Sequence, residues 1–121
     1  MSLDVTIPFK DKEGNEDHWW SNITHNMTRM AHEIPIEYPE GNNKTLYDFV
    51  WRPDEQDIPI DTSVMKEVLI WGIVYMIQNR TKLLEYNPEN GWGSYSSFLD
   101  WLISYKSACE DHPGCKIEVS R

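Results

Sequence analysis

Lys and Arg are scarce in this chain. Against 20 acidic residues there are 11 basic ones among 121, a formal net charge of -9 with a pI near 4.8. Such a field repels phosphate backbones and anionic lipid. General nucleic-acid binding is therefore disfavoured, although a local basic pocket, or an acidic surface that mimics DNA towards a basic partner, stays open. Long apolar runs are missing as well. The longest uncharged stretch, residues 68–79, is well short of the ~20 residues a helix needs to cross a bilayer, so no spanning segment is expected. The opening MSLDVTIPFKDKEGNED lacks a basic lead followed by an apolar run, so a secretory signal is not expected and a cytoplasmic setting is. In that compartment Cys109 and Cys115, which flank EDHPG and are the only cysteines, are expected as thiols rather than as a disulfide. The N-x-S/T sequons at Asn22, Asn26, Asn43 and Asn79 are then chance matches.

Signatures of catalysis are also lacking. There is no G-x-S-x-G elbow, C-x-x-C, P-loop or dinucleotide fingerprint, which removes the common nucleophile, redox and phosphate-cradle classes. Asp48, Asp54 and Asp57 are acidic enough, but no spacing singles out an acid/base pair. His18, His25 and His32 recur every seven residues, a rise of about 10 Å along a helix, whereas each zinc ligand must come within about 2 Å of the ion. No H-E-x-x-H is present to supply the better spacing. Cys109 and His112 form a conceivable dyad, but Cys109 falls on an apolar stripe. No metal and no cofactor is expected.

What the chain does have is core-forming material. It is 40% hydrophobic and 12% aromatic, with six tryptophans, far from the composition of a disordered chain, and its length suits a single domain over residues 1–121. Leu3, Val5, Ile7 and Phe9 alternate with polar residues and Pro8, which reads as a half-buried strand. Ile117 and Val119 alternate in the same way near the other end. Helices are expected at about 22–33, 46–51, 64–80 and 95–110, with a further turn at 82–86. The first is capped by Ser21 or Asn22 and stops before Pro35. The helix at 64–80 is apolar in nearly every direction, the pattern of a buried helix, and its Gly72 suggests close approach by a neighbour. A segment rich in Pro, Gly and Asn separates the first two helices. The expected fold class is α+β: three to four helices around a buried central helix, with a small sheet formed by the N- and C-terminal strands.

Two stretches carry the candidate site. On a helical wheel for SNITHNMTRMA, Ile23, Met27, Met30, Ala31 and Ile34 share one stripe, while His25, Arg29 and His32 fall about 200°, 240° and 180° from Ile23. That polar face offers donors for an anion or polar ligand; the plainer reading is a solvated helix surface. In NGWGSY, the glycines around Trp92 allow a tight turn and Ser94 can cap the next helix. Trp92 and Tyr95 either form a stacking wall for a ring or plug the core at the turn. The Trp19-Trp20 pair is ambiguous in the same way.

Taken in order, SNITHNMTRMA, LYDFVWRP, YNPENGWGSYSSFLDWLISYKSAC and the final IEVSR resemble an uncharacterised family of small proteins of bacteriophages, prophages and their bacterial hosts, over most of residues 19–121. The matching motif positions are Asn22, Ile23, Thr24, His25, Asn26, Trp51, Arg52, Pro53, Asn90, Gly91, Trp92, Gly93, Tyr95 and Arg121. The resemblance implies a phage-type protein in a bacterial cytoplasm and no particular activity. The chain departs from the family at Trp19-Trp20 and at Cys115, which speaks against a family-wide disulfide. The combined expectation is a soluble, non-enzymatic accessory protein that binds a polar or nucleotide-like ligand, or a host protein, as counter-defence proteins do. Its site is expected at Asn22, Thr24, His25, Asn26, Arg29, Trp92, Tyr95 and Arg121. Two alternatives stay open: an enzyme using His25 as general base or metal ligand, and an acidic protein-protein inhibitor.

Overall fold

A computed structural model describes residues 1–37 and 43–121. Strand β1, Ser2–Lys10, pairs antiparallel with β2, Glu16–Thr24, in an unbroken register from Ser2 opposite Thr24 to Lys10 opposite Glu16. The hairpin turns on Asp11, whose carboxylate accepts from the amides of Glu13 and Asn15, both at 2.9 Å, with Gly14 at φ 82°. A left-handed φ costs glycine nothing. The C-terminal strand β5, Glu118–Ser120, pairs with the other edge of β1, giving the order β2-β1-β5. The two terminal strands therefore meet in one sheet, as their alternation implies. Leu3, Val5 and Ile7 lie fully buried on its inner face.

Strand β2 was not foreseen, and it moves the first helix. Residues 16–24 lack the apolar alternation of a strand because Ser21 occupies an inward position. That hydroxyl accepts from Trp101 Nε1 at 2.9 Å, so a polar side chain is satisfied where an apolar one would be expected. The neighbours Trp19 and Trp20 point to opposite faces, as successive strand residues must. Trp19 stacks on Tyr105 at 5.6 Å and Trp20 is exposed. The helix expected at 22–33 accordingly begins only after Thr24, with a 3₁₀ turn at His25–Met27 leading into α1, Thr28–His32. Neither Ser21 nor Asn22 caps it: Thr24 does, accepting from the Asn26 amide at 3.2 Å. Met27, Met30, Ala31 and Ile34 are all buried, as the stripe predicted.

Two short strands, β3 (Pro35–Ile36) and β4 (Lys44–Thr45), pair next. The Pro, Gly and Asn-rich loop expected here lies in part outside the described residues. Helix α2, Leu46–Trp51, opens with a reciprocal cap between Thr45 and Asp48, which satisfies amides that a helix start leaves free. Helix α3, Thr62–Gln78, is capped by Asp61, α4 covers Arg80–Leu84, and α5, Tyr95–Asp111, is capped by Ser94.

Helices α3 and α5 run antiparallel. The Tyr95 hydroxyl donates to the Met76 carbonyl at 2.6 Å at one end, and Thr62 donates to the His112 carbonyl at the other. Gly72 makes room for α2, since a Cβ there would stand 3.0 Å from Leu46 Cδ1. The core side of α3 is Met65, Val68, Leu69 and Met76. Its other side is covered less than its all-round apolarity suggested, with Trp71, Val74 and Ile77 exposed at 45%, 46% and 60%. A two-layer domain of this size wraps α3 with α2 and α5 and leaves the remaining arc open. Helix α5 buries Phe98, Leu102, Tyr105 and Cys109, the stripe read from its spacing. Burial pushes the Cys109 thiol up to about 12, so it stays protonated and serves as packing. Cys115 is also a free thiol. Among the described residues, no helix is long and apolar enough to cross a membrane.

Candidate functional site

The N-I-T-H-N and N-G-W-G stretches meet in space, and a glycine makes the meeting possible. Gly93 sits at φ 91°, and a Cβ there would lie 2.8 Å from Met27 Sδ and 2.9 Å from Thr24 Cγ2. Only glycine tolerates both the left-handed backbone and that approach. Once the turn is seated on Thr24 and Met27, Asn26 Nδ2 donates to the Trp92 carbonyl at 3.3 Å. The turn is also braced internally, with Trp92 N donating to Asn90 Oδ1 at 3.0 Å and Tyr95 N to Asn87 Oδ1 at 2.7 Å. The result is an open cleft of about 560 Å³ lined by Met1, Ser2, Asn22, Thr24, His25, Asn26 and Trp92. None of these side chains is acidic, in a chain whose net charge is -9. The indole of Trp92 is 71% exposed, so it is a wall of the cleft and not a plug in the core.

His25 is held from behind. The Trp51 indole N–H donates to His25 Nδ1 at 3.0 Å, and Trp51 itself is only 1% exposed. An indole nitrogen donates and never accepts. Nδ1 must therefore be the bare nitrogen of a neutral ring, and Nε2 must carry the hydrogen. The backbone is pinned too, His25 N donating to the Met1 carbonyl at 3.2 Å. This arrangement makes His25 a hydrogen-bond donor at Nε2. Acting as a base at Nδ1 would cost the Trp51 bond, and coordinating a metal through Nε2 would move the hydrogen to Nδ1, against the indole N–H. Among the described residues, no group of three or more His, Cys, Asp or Glu is arranged to hold a metal ion.

A second cleft, about 510 Å³, adjoins the first and shares His25 and Asn26 with it. Its remaining walls include Arg29, Glu85, Tyr86, Glu89 and Asn90. Arg29 lies with its guanidinium carbon 5.9 Å from the centre of the Tyr86 ring. The Tyr86 hydroxyl donates to Glu33 Oε1 at 2.9 Å, and this carboxylate raises its pKa. His32, expected beside His25 and Arg29, is instead stacked on Tyr47 at 4.0 Å and lines neither cleft.

Of the eight expected site residues, Asn22, Thr24, His25, Asn26 and Trp92 converge on one cleft and Arg29 borders its neighbour. Tyr95 and Arg121 do not join them. Tyr95 is 4% exposed and its hydroxyl is spent on the Met76 carbonyl, so no stacking surface is offered. Burial raises its pKa. Arg121 forks onto Asp54 at 2.7 and 3.2 Å and donates to the Trp51 carbonyl at 3.0 Å. It lowers the Asp54 pKa and fastens the C-terminus to the end of α2. Trp51, a motif position not expected at the site, proves to belong to it. A buried indole needs an acceptor, and that requirement is the signal that could have linked it to His25. Ser2, at the start of β1, also lines the cleft without having been foreseen.

The class defined by these features is a small α+β protein with an open, polar, non-acidic cleft between a fixed imidazole and a free indole. Comparison with models of known protein families, with curated proteins and with solved structures gives no match.

Proposed function

We propose that this chain is a small binding protein of phage or prophage type, taking a polar, nucleotide-like ligand in the cleft between His25 and Trp92 and not transforming it. The observation that carries the proposal is the cleft itself, where an exposed indole faces side chains that donate and accept hydrogen bonds with no carboxylate among them. An aromatic face of this kind binds a flat heterocycle with about 1–3 kcal/mol per stacked ring. Asn22 and Asn26 would then read its polar edge, with the Nε2–H of His25 as a further donor to the ligand. The acidic surface disfavours a long polyanion but not a single small ligand in a neutral pocket. The phage setting, and with it a bacterial cytoplasm, rests on the motif resemblance alone.

The test is a titration with adenosine, guanosine, cytidine, uridine and their 5′-monophosphates, followed by calorimetry and by tryptophan fluorescence. Saturable binding to the natural chain, lost in Trp92→Ala while the thermal melt is unchanged, is the expected result. Absence of saturable binding by all eight compounds would overturn it. A second reading, a host-protein partner, is favoured by the exposed Trp71, Val74 and Ile77 on α3, because a contiguous apolar patch marks contact surfaces. A co-purifying protein released by Trp71→Glu, but not by Trp92→Ala, would favour that reading instead.

A further inference from the structure

We infer that the ligand is a nucleoside monophosphate whose ring stacks on Trp92 and whose phosphate crosses the His25–Asn26 ridge towards Arg29, with Trp51 as the positioning residue that turns His25 into a donor to that phosphate. This rests on the ligand reading above and adds to it the position and number of the phosphates.

Three observations converge. First, His25 and Asn26 line both clefts, so a ligand lying on Trp92 can extend past them into the second cleft. Second, His25, which lines both clefts, has an N–H to offer. Trp51 occupies Nδ1 at 3.0 Å and leaves Nε2–H as the free donor of His25. The oxygens of a doubly ionised phosphate accept, so a donor held in one direction suits them. Third, the second cleft holds one cation, Arg29, on an exposed stretch of α1, facing walls that include Glu85 and Glu89. One phosphate finds a planar guanidinium fork there. A second or third phosphate would add negative charge to a cleft that Glu85 and Glu89 also line, and is repelled.

The experiment compares adenosine, AMP and ATP by calorimetry in the natural chain, in Arg29→Ala and in Trp51→Phe. Nitrogen-15 NMR of the histidine rings is recorded alongside. In the natural chain AMP is expected to bind about tenfold or more tightly than adenosine, the size of one charge-assisted hydrogen bond, and more tightly than ATP. Arg29→Ala should remove most of the AMP preference while leaving adenosine binding in place. The free natural chain should show His25 with a bare Nδ1 and a protonated Nε2, and Trp51→Phe should relax it towards a mixture of tautomers while weakening the AMP preference. If Trp51→Phe does not fold, the natural chain's tautomer and the Arg29→Ala comparison still decide. Equal affinity for adenosine and AMP, or a His25 protonated at Nδ1, overturns the inference while leaving the cleft a ligand site. If none of the three compounds binds, the ligand reading itself falls and this inference falls with it.

Discussion

The wall of the cleft that carries His25 and the wall that carries Trp92 face the same space but are secured by different means. His25 is fastened through its side chain. Trp51 donates to its imidazole, and Trp51 in turn packs 5.7 Å from the Tyr47 ring and 6.1 Å from Phe98 while its carbonyl accepts from Arg121. Trp92 is fastened only through its backbone, by Asn26 and Asn90 and by the seating of Gly93, and its indole stands in solvent. A donor whose direction matters is built into the core. A stacking surface, which needs area more than direction, is left free. Substitutions on the two walls should therefore separate stability from binding, and the size of the stability change should fall in step from the core outward.

The largest effect is expected at Trp51. Trp51→Ala removes a fully buried indole and should cost about 3–5 kcal/mol, measured by urea or thermal unfolding. It would also leave His25 Nδ1 without its donor, while the bond from Arg121 to the residue-51 carbonyl survives. A cost below about 1 kcal/mol would mean that the His25 wall is not anchored in the core as described. Next comes Gly93→Ala. The added methyl meets Met27 and Thr24 inside 3 Å at a left-handed φ, and strain of this kind costs about 1–3 kcal/mol. Gly91→Ala is its control: φ is 75° but nothing lies within 4 Å of the new carbon, so backbone strain remains without the clash and the loss should be smaller. Equal losses at the two glycines would show that seating against Thr24 and Met27 does not hold the turn.

His25→Ala should follow at about 1–3 kcal/mol, because the indole N–H of Trp51 is left buried without an acceptor. His25→Asn, whose Oδ1 stands two bonds from Cβ as Nδ1 does, should recover part of that loss. A histidine that merely sat on a solvated surface would give less than about 0.5 kcal/mol in either variant. Equilibrium unfolding of the pair therefore distinguishes an anchored imidazole from a surface one.

These two walls also explain which features could be read from the sequence. The alternation of Leu3, Val5 and Ile7 and the stripe of Phe98, Leu102, Tyr105 and Cys109 both predict burial because each element packs one face against the core. Strand β2 was hidden because Ser21 takes an inward place and is satisfied by Trp101 from α5, a partner 80 residues away. The wheel that set His25, Arg29 and His32 on one face keeps His25 and Arg29 in one cleft but not His32, which stacks on Tyr47. Pairing of Ser2 with Thr24 and Leu3 with Ile23 holds those residues extended and starts the helix late, so tertiary pairing overrides local spacing. The convergence of the two motifs depends on a contact 66 residues apart, which no local period encodes. Tyr95 was legible all the same. It lies three residues before Phe98 on the same stripe of α5, and that register points it inward rather than at a ligand.

The smallest stability effect, and the most informative, is expected at Trp92. Trp92→Ala removes the side chain of a residue that is 71% exposed and whose indole makes no hydrogen bond among the described residues, while the bond from Asn26 goes to the Trp92 carbonyl and survives the substitution. Stability should change by no more than about 0.5 kcal/mol, and the unfolding midpoint should stay in place. Ligand binding should nevertheless fall by about tenfold or more, the loss of one stacked ring. Trp92→Phe keeps an aromatic face and should restore most of it, whereas Trp92→Leu keeps apolar bulk and should not. If leucine restores binding as well as phenylalanine does, the wall acts by apolar contact and not by stacking, and the nucleotide-like character of the ligand loses its main support.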